Sequence, residues 1–196
     1  MSVSDKEFSQ RIAALTPEQR RLLELRMKRQ REAEAAVKPR PLPRREGANS
    51  FPLSFPQQRL WFLDQLEPGG SAYNLFEALR LTGPLDGEVL DRAFSEIVRR
   101  QESLRTRFQE SEGQAAQVDE PPRPFRVERV DLRSAPVAGR EAEALRLAAR
   151  AAGAPFDLGR GGLLRVTLFQ LGEEHHVLLL VMHHIVSDGW SMGVLL

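Results

Sequence analysis

Two adjacent imidazoles, His183 and His184, followed after three residues by Asp188-Gly189, are the groups in this chain best suited to do chemistry. They come directly after the apolar run Val177-Leu178-Leu179-Leu180-Val181 and Met182. A continuously apolar strand is a buried one, so ionisable residues at its end are delivered to the edge of a core. Side chains on a strand alternate faces, so His183 and His184 cannot both address one substrate. One is expected to react and the other to support it. Imidazole exchanges protons near neutral pH, which suits proton abstraction from, or positioning of, a nucleophile. Asp188 falls at an expected turn into a helix beginning near Trp190 or Ser191, where an aspartate can cap amides or hold an arginine. Gly189 then gives the backbone room. A packed, hydrogen-bonded histidine pair and a metal site are the competing readings; adjacent histidines on a strand diverge, which counts against the metal.

The elements that must position these residues follow from pattern. Leu163 to Leu171 and His176 to His184 are expected to form a hairpin around Gly172-Glu173-Glu174, with the histidine pair at its far end. His175 and His176, beside that turn, are expected at the surface. Upstream, Ser54-Phe55-Pro56 opens a helix over 56 to 66 that ends at Pro68-Gly69-Gly70, with Trp61 packed on the core. Tyr73 to Leu81 reads as a strand, Thr82 to Asp86 as a turn and cap, and Glu88 to Gln101 as a helix with one apolar face. Leu104 to Phe108 alternates and is expected to pair with Ala115 to Val118 across Glu112-Gly113. Phe125 to Leu132 is a further strand, and Glu141 to Ala152 a helix stopped by Gly153. The glycines at 159, 161 and 162 form no phosphate loop, because no Lys-Ser/Thr follows.

The front of the chain differs in kind. Residues 1 to 46 hold 12 Lys and Arg against 7 Asp and Glu, a local +5 that leaves −4 for the rest of a chain whose net charge is +1. Helices are expected over 5 to 14 and 17 to 36, the second opened by Thr16-Pro17-Glu18 and amphipathic through Leu15, Leu22, Leu23, Leu25 and Met27. A solvated helix and a docking element for an upstream partner chain both fit this segment. Glutamates interleaved with the arginines argue against nucleic acid. Lys38-Pro39-Arg40-Pro41-Leu42-Pro43-Arg44-Arg45 is a basic linker held extended by proline, so a boundary is expected between 38 and 50. The chain has no cysteine, which removes disulfides, thiolate nucleophiles and cysteine-ligated metals. Its start lacks the apolar core of a signal peptide, and no apolar run approaches the roughly 20 residues of a membrane span. A cytoplasmic protein without membrane insertion is expected.

Three stretches in order carry a resemblance. His183-His184-Ile185-Val186-Ser187-Asp188-Gly189 resembles the HHxxxDG motif of nonribosomal peptide synthetase condensation domains. Ser54-Phe55-Pro56-Gln57-Gln58-Arg59-Leu60-Trp61-Phe62-Leu63 is similar to that family's first motif, and Arg100-Gln101-Glu102-Ser103-Leu104-Arg105-Thr106-Arg107-Phe108 to its second. The similarity covers about residues 50 to 196. It implies an α+β fold, a two-layer α/β sandwich of the chloramphenicol-acetyltransferase type, with residues 51 to 196 as its N-terminal lobe. Residues 1 to 37 would then be a helical docking or linker segment and 38 to 50 a Pro/Arg-rich linker.

The reaction implied is amide formation, in which an acceptor's amine attacks a donor thioester. Donor and acceptor carrier proteins would be the partners, bringing phosphopantetheine arms; the chain itself would bind no cofactor or metal. Residues 1 to 36 could dock an upstream synthetase subunit. By resemblance His184 is the catalytic residue, acting as base or by positioning, while His183, Asp188 and Gly189 support it. Asp188 is expected to bond an arginine, with Arg100 and Arg59 as candidates. One departure stands out: Gln101 occupies the place of the second motif's usual histidine, so no proton-transfer role is assigned there. The motif endings are most similar to the subtype that joins two L-aminoacyl units. Heterocyclisation is disfavoured, because that subtype replaces the leading histidines with aspartates; epimerisation is less clearly separated. The family's fold pairs two lobes around its site, so this polypeptide alone is expected to be inactive. A docking module with the lobe as passenger is the alternative.

Overall fold

In a computed structural model, residues 49 to 195, apart from Glu112, are described. The helices expected over 5 to 14 and 17 to 36 and most of the basic linker lie outside the described residues. The apolar run becomes the centre of the architecture: strand β7, His175–His183, is buried from His176 onward. It lies between β2 (Asn74–Thr82) and β6 (Leu164–Gln170), antiparallel to both, and β5 (Glu128–Asp131) adds a parallel edge beside β6. A second, antiparallel sheet has the order β1-β4-β3, from Ser50–Pro52, Gln114–Asp119 and Thr106–Ser111. β3 and β4 pair as expected, and Gly113, directly before β4, has a φ of 75°, the left-handed region open to glycine.

Four helices complete the described chain: α1 (Phe55–Leu66), α2 (Gly87–Arg100), α3 (Arg140–Ala152) and α4 (Gly189–Leu195). Strand alternation divides the core in two. Val177, Leu179 and Val181 of β7 pack with Ala144, Ala148 and Ala152 of α3 and with Phe108, Phe156 and Phe169. Leu178, Leu180 and Met182 pack with Phe94 and Val98 of α2, Leu104 and Met192. Each helix offers a stripe at helical spacing, small on α3 and bulky on α2, which sets how closely each can approach the sheet. α2 begins sharply because Asp86 accepts the amides of Glu88 and Val89 at 2.8 and 3.1 Å.

Three expectations need correction. Leu104 does not begin β3; it sits in a 3-10 turn, Glu102–Arg105, and is buried against α2. That turn is held by Arg105, whose guanidinium bonds the carbonyls of Glu120 and Arg99 and the Asp119 carboxylate. The strand expected over 125 to 132 shrinks to four residues, since the amides of Phe125 and Val127 go to Ser95 Oγ and Asp91 Oδ1 of α2 instead of a ladder. His176 is not at the surface: it is 3% exposed, paired in register with Leu81 on one side and Gln170 on the other. The strand starts one residue earlier than the apolar pattern suggests and carries this histidine inside.

Candidate active site

At the end of β7 the two imidazoles part as strand geometry requires. His183 is 4% exposed. Its ring lies edge-on to Phe156 at 6.2 Å between centroids and 6.4 Å from the Tyr73 ring, and its Nδ1 accepts the Ile185 N–H at 3.2 Å. Burial, helped by the neighbouring His184, pushes its pKa down to about 4, so the ring is neutral at pH 7. It shapes the bend of the loop that follows, and the Val186 amide closes that bend on the His183 carbonyl at 3.1 Å.

His184 faces the other way and is exposed. Its backbone N–H donates to the Tyr73 carbonyl at 2.8 Å, anchoring it to the residue before β2. Its Nδ1 stands 2.6 Å from the Ser187 carbonyl oxygen. A carbonyl can only accept, so Nδ1 carries the proton and the neutral ring keeps its lone pair on Nε2. That is the tautomer a proton acceptor needs.

A cavity of about 790 Å³ opens beside this ring, lined by Ser54, Gln57, Arg59, Tyr73, His184, Asp188 and their neighbours. The start of α1 forms one wall because Gln57 joins three parts of the chain. Its Oε1 accepts the Ser54 amide at 2.9 Å, and its Nε2 reaches Gln117 of β4 at 3.2 Å and the Ile185 carbonyl at 3.4 Å. Asp188 caps α4: its Oδ1 accepts the Ser191 amide at 2.8 Å and the Ser191 hydroxyl at 2.6 Å, and these bonds hold its carboxyl below the usual range.

Of the residues singled out from sequence, His184, Asp188 and Arg59 line this one cavity, with His183 directly behind. The arginine contact expected for Asp188 is absent among the described residues. Arg100 instead pairs with Glu96 one turn back on α2 at 2.7 Å, where an i, i+4 partner is always within reach, and it lines a separate cavity of about 480 Å³ with Gln101 and Trp190. Arg59 lines the cavity with no hydrogen bond or ion pair among the described residues. Gly189 begins α4 with nothing within 4 Å of where a Cβ would stand, so no packing demands it within this chain. Sequence reasoning passed over Tyr73 and the Ser187 carbonyl; the available signal for Tyr73 was its place opposite His184 once β2 and β7 pair. Among the described residues no group of three or more His, Cys, Asp or Glu could hold a metal, and no helix is long and apolar enough to cross a membrane.

Comparison with known proteins bears on the family and the fold. The condensation domain family model matches residues 48–196. Chondramide synthase of Chondromyces crocatus is 49% identical over 160 residues, covering 82% of this chain and 4% of that protein. The phosphinothricin tripeptide synthetase PhsC of Streptomyces viridochromogenes is 43% identical over 192 residues, 97% of this chain and 17% of that protein. The chain thus spans a small part of the curated relatives it matches. Among solved structures, the first condensation domain of the calcium-dependent antibiotic synthetase, in complex with a substrate analogue, superposes with a TM-score of 0.68 at 35% identity, over 75% of this chain and 35% of that one. The starter condensation domain of rhizomide synthetase, at 22% identity and a TM-score of 0.69 over 75% of this chain and 35% of that one, shares the fold. With the chloramphenicol-acetyltransferase-like architecture in place and the histidine pair at the end of its central strand, the chain belongs to the condensation-domain family of nonribosomal peptide synthetases.

Proposed function

We infer that this chain is the N-terminal lobe of a condensation domain that joins a donor acyl or peptidyl thioester to an acceptor aminoacyl thioester, in the subtype linking two L-aminoacyl units. The observation that carries the proposal is the His184 ring, with Nδ1 tied to the Ser187 carbonyl and Nε2 left free beside the cavity. Both substrates would arrive on phosphopantetheine arms of carrier proteins. The acceptor's amine nitrogen attacks the thioester carbonyl carbon, and the carbonyl π pair moves onto oxygen. His184 Nε2 takes the proton the nitrogen sheds. Collapse re-forms the C=O, breaks the C–S bond, and the imidazolium returns its proton to the departing thiolate. No net proton or electron is consumed.

Support residues divide by what they touch. His183, neutral and buried, fixes the loop's bend. Asp188 fixes the start of α4, and with it the far wall of the cavity. Gly189 would leave a backbone N–H uncovered toward substrate, while Arg59 supplies positive charge. Arg100 acts only at a distance, by tying down the end of α2. Residues 1 to 37 would dock an upstream subunit, with 38 to 50 as linker to the lobe beginning at 51.

Peptide formation by the whole synthetase, with loaded donor and acceptor carriers, tests this reading. His184→Ala is expected to lose product while remaining folded. Normal product from that variant would make the histidine pair structural and leave docking as the chain's role. Deleting residues 1 to 45 should abolish binding of the upstream subunit and leave the lobe's thermal melt unchanged.

A further inference from the structure

The intermediate in that reaction carries a negative oxygen; of the groups assigned so far, Gly189 is not among the residues lining the cavity, and Arg59 is one candidate of several. A donor that serves that oxygen must lie about 3 Å from it while the attacking nitrogen sits at His184 Nε2. Most polar groups around the cavity are already spent. The Ser191 hydroxyl donates to Asp188, the Gln57 amide to Gln117 and the Ile185 carbonyl, and the Ser187 hydroxyl is sealed from solvent. Asp188 has no proton to give. Ser54, Arg59 and Tyr73 remain.

Tyr73 has the position. It is the only tyrosine in the chain, and its hydroxyl makes no hydrogen bond among the described residues. It lies one residue before the Asn74–His183 pair, so it stands directly across from His184, whose amide it accepts at 2.8 Å. Opposed residues of an antiparallel pair place their Cβ atoms about 4.5–5.5 Å apart on one face. The base and the phenol therefore start from neighbouring points, tied by a backbone bond, and both border the same cavity. The Tyr73 ring itself packs near the His183 ring, 6.4 Å between centroids, and its link to His184 is the shared cavity wall and the backbone bond. Arg59, by contrast, is an exposed charge on α1 whose hydration must be stripped before it can serve. Ser54 belongs to the cap of that helix. A phenol is a strong neutral donor whose bond tightens as charge grows on its acceptor, which favours the transition state over the ground state.

We propose that the Tyr73 hydroxyl is a second catalytic group, donating a hydrogen bond to the thioester carbonyl oxygen as it becomes the oxyanion. The phenol keeps its proton throughout; it stabilises charge and transfers nothing. The proposal rests on the amide-forming function above.

Tyr73→Phe removes only the oxygen and keeps the ring packing. In the whole synthetase with loaded carriers it should lower kcat by about 10²–10³-fold, the usual cost of losing one oxyanion donor, with KM for either carrier little changed. A second measurement separates catalysis from packing: binding of a dipeptide phosphonamidate, which mimics the tetrahedral centre, compared with binding of the matching amide. The variant should lose affinity for the mimic alone. Equal loss on both ligands, or an unchanged kcat while His184→Ala is inactive, overturns the proposal and leaves amide formation standing. Unchanged product from both variants overturns amide formation at this site as well.

Discussion

His183 and His184 share a backbone and a chemistry, and their surroundings give them opposite work. The His184 tautomer is set by one carbonyl, so nitrogen shifts of the neutral ring should report protonated Nδ1 and bare Nε2; the reverse pattern would remove the free Nε2 that the proposed base role requires. His183 makes a different prediction, in stability. Its pKa falls from 6.5 in the open chain to about 4 when folded, so between those values the unfolded state binds the extra proton. Stability should therefore be complete above pH 6.5, decline as pH falls toward 4, and gain no further penalty from this residue below it. His176, also lowered chiefly by burial, acts in the same direction, so His183→Asn should flatten the decline in part. Denaturant midpoints across pH 4 to 7 measure it; an unchanged slope in the variant would mean the ring contributes nothing. Asp188 accepts from a helix start, and an amide oxygen can do the same. Asp188→Asn should keep product formation within about twofold, whereas Asp188→Ala should destabilise the start of α4 by removing its cap, read as a lower denaturant midpoint. Loss of activity in the asparagine variant would show that the charge itself matters.

At the scale of elements, α2 is bound to the chain before β5 by the Ser95 hydroxyl and by a buried carboxylate. Asp91 accepts the Val127 amide at 2.9 Å and Arg129 and Arg126 at 2.9 and 3.1 Å, and these hold its pKa below the ordinary value, the amide most of all. The arginines can turn back to water in its absence; the Val127 amide is buried and cannot. Asp91→Ala should cost about 1–3 kcal/mol by chemical denaturation, and a neutral result would mean the segment finds another acceptor. This contact also shows why some of the fold was legible in sequence and some was not. Helices α1, α2 and α3 announce themselves through caps and apolar spacing, and β7 through its uninterrupted run. The shortened β5 and the turn at Leu104 do not, because side chains distant in sequence, Asp91, Ser95 and Arg105, take over backbone groups that local pattern assigns to strands. The site followed the same rule. The histidines were readable by spacing, but Tyr73 becomes meaningful only through the pairing of β2 with β7, and the arginine expected for Asp188 gave way to the nearer Ser191.

For the whole molecule, β7 belongs to both halves of the core, so injury there is felt on two sides. Leu179, 1% exposed, should cost about 2–5 kcal/mol when cut to alanine, as read from the denaturant midpoint; less would mean the core collapses around the gap. The two-sided burial has another effect, on parity. In a strand with one wet face, a slip of one position is punished by exposing its apolar side. Here Val177 to Met182 are buried on both faces, and the slipped arrangement would again set apolar groups against apolar groups. Beyond the size of the helix packed on each face, odd and even are told apart by polar contacts at the strand's end, from the Tyr73 carbonyl, the Ser187 carbonyl and the Ile185 amide. Deleting Leu179 alone would thus leave a strand of nearly equal greasiness and turn each histidine to the other's face, yielding a folded protein with His184 turned inward.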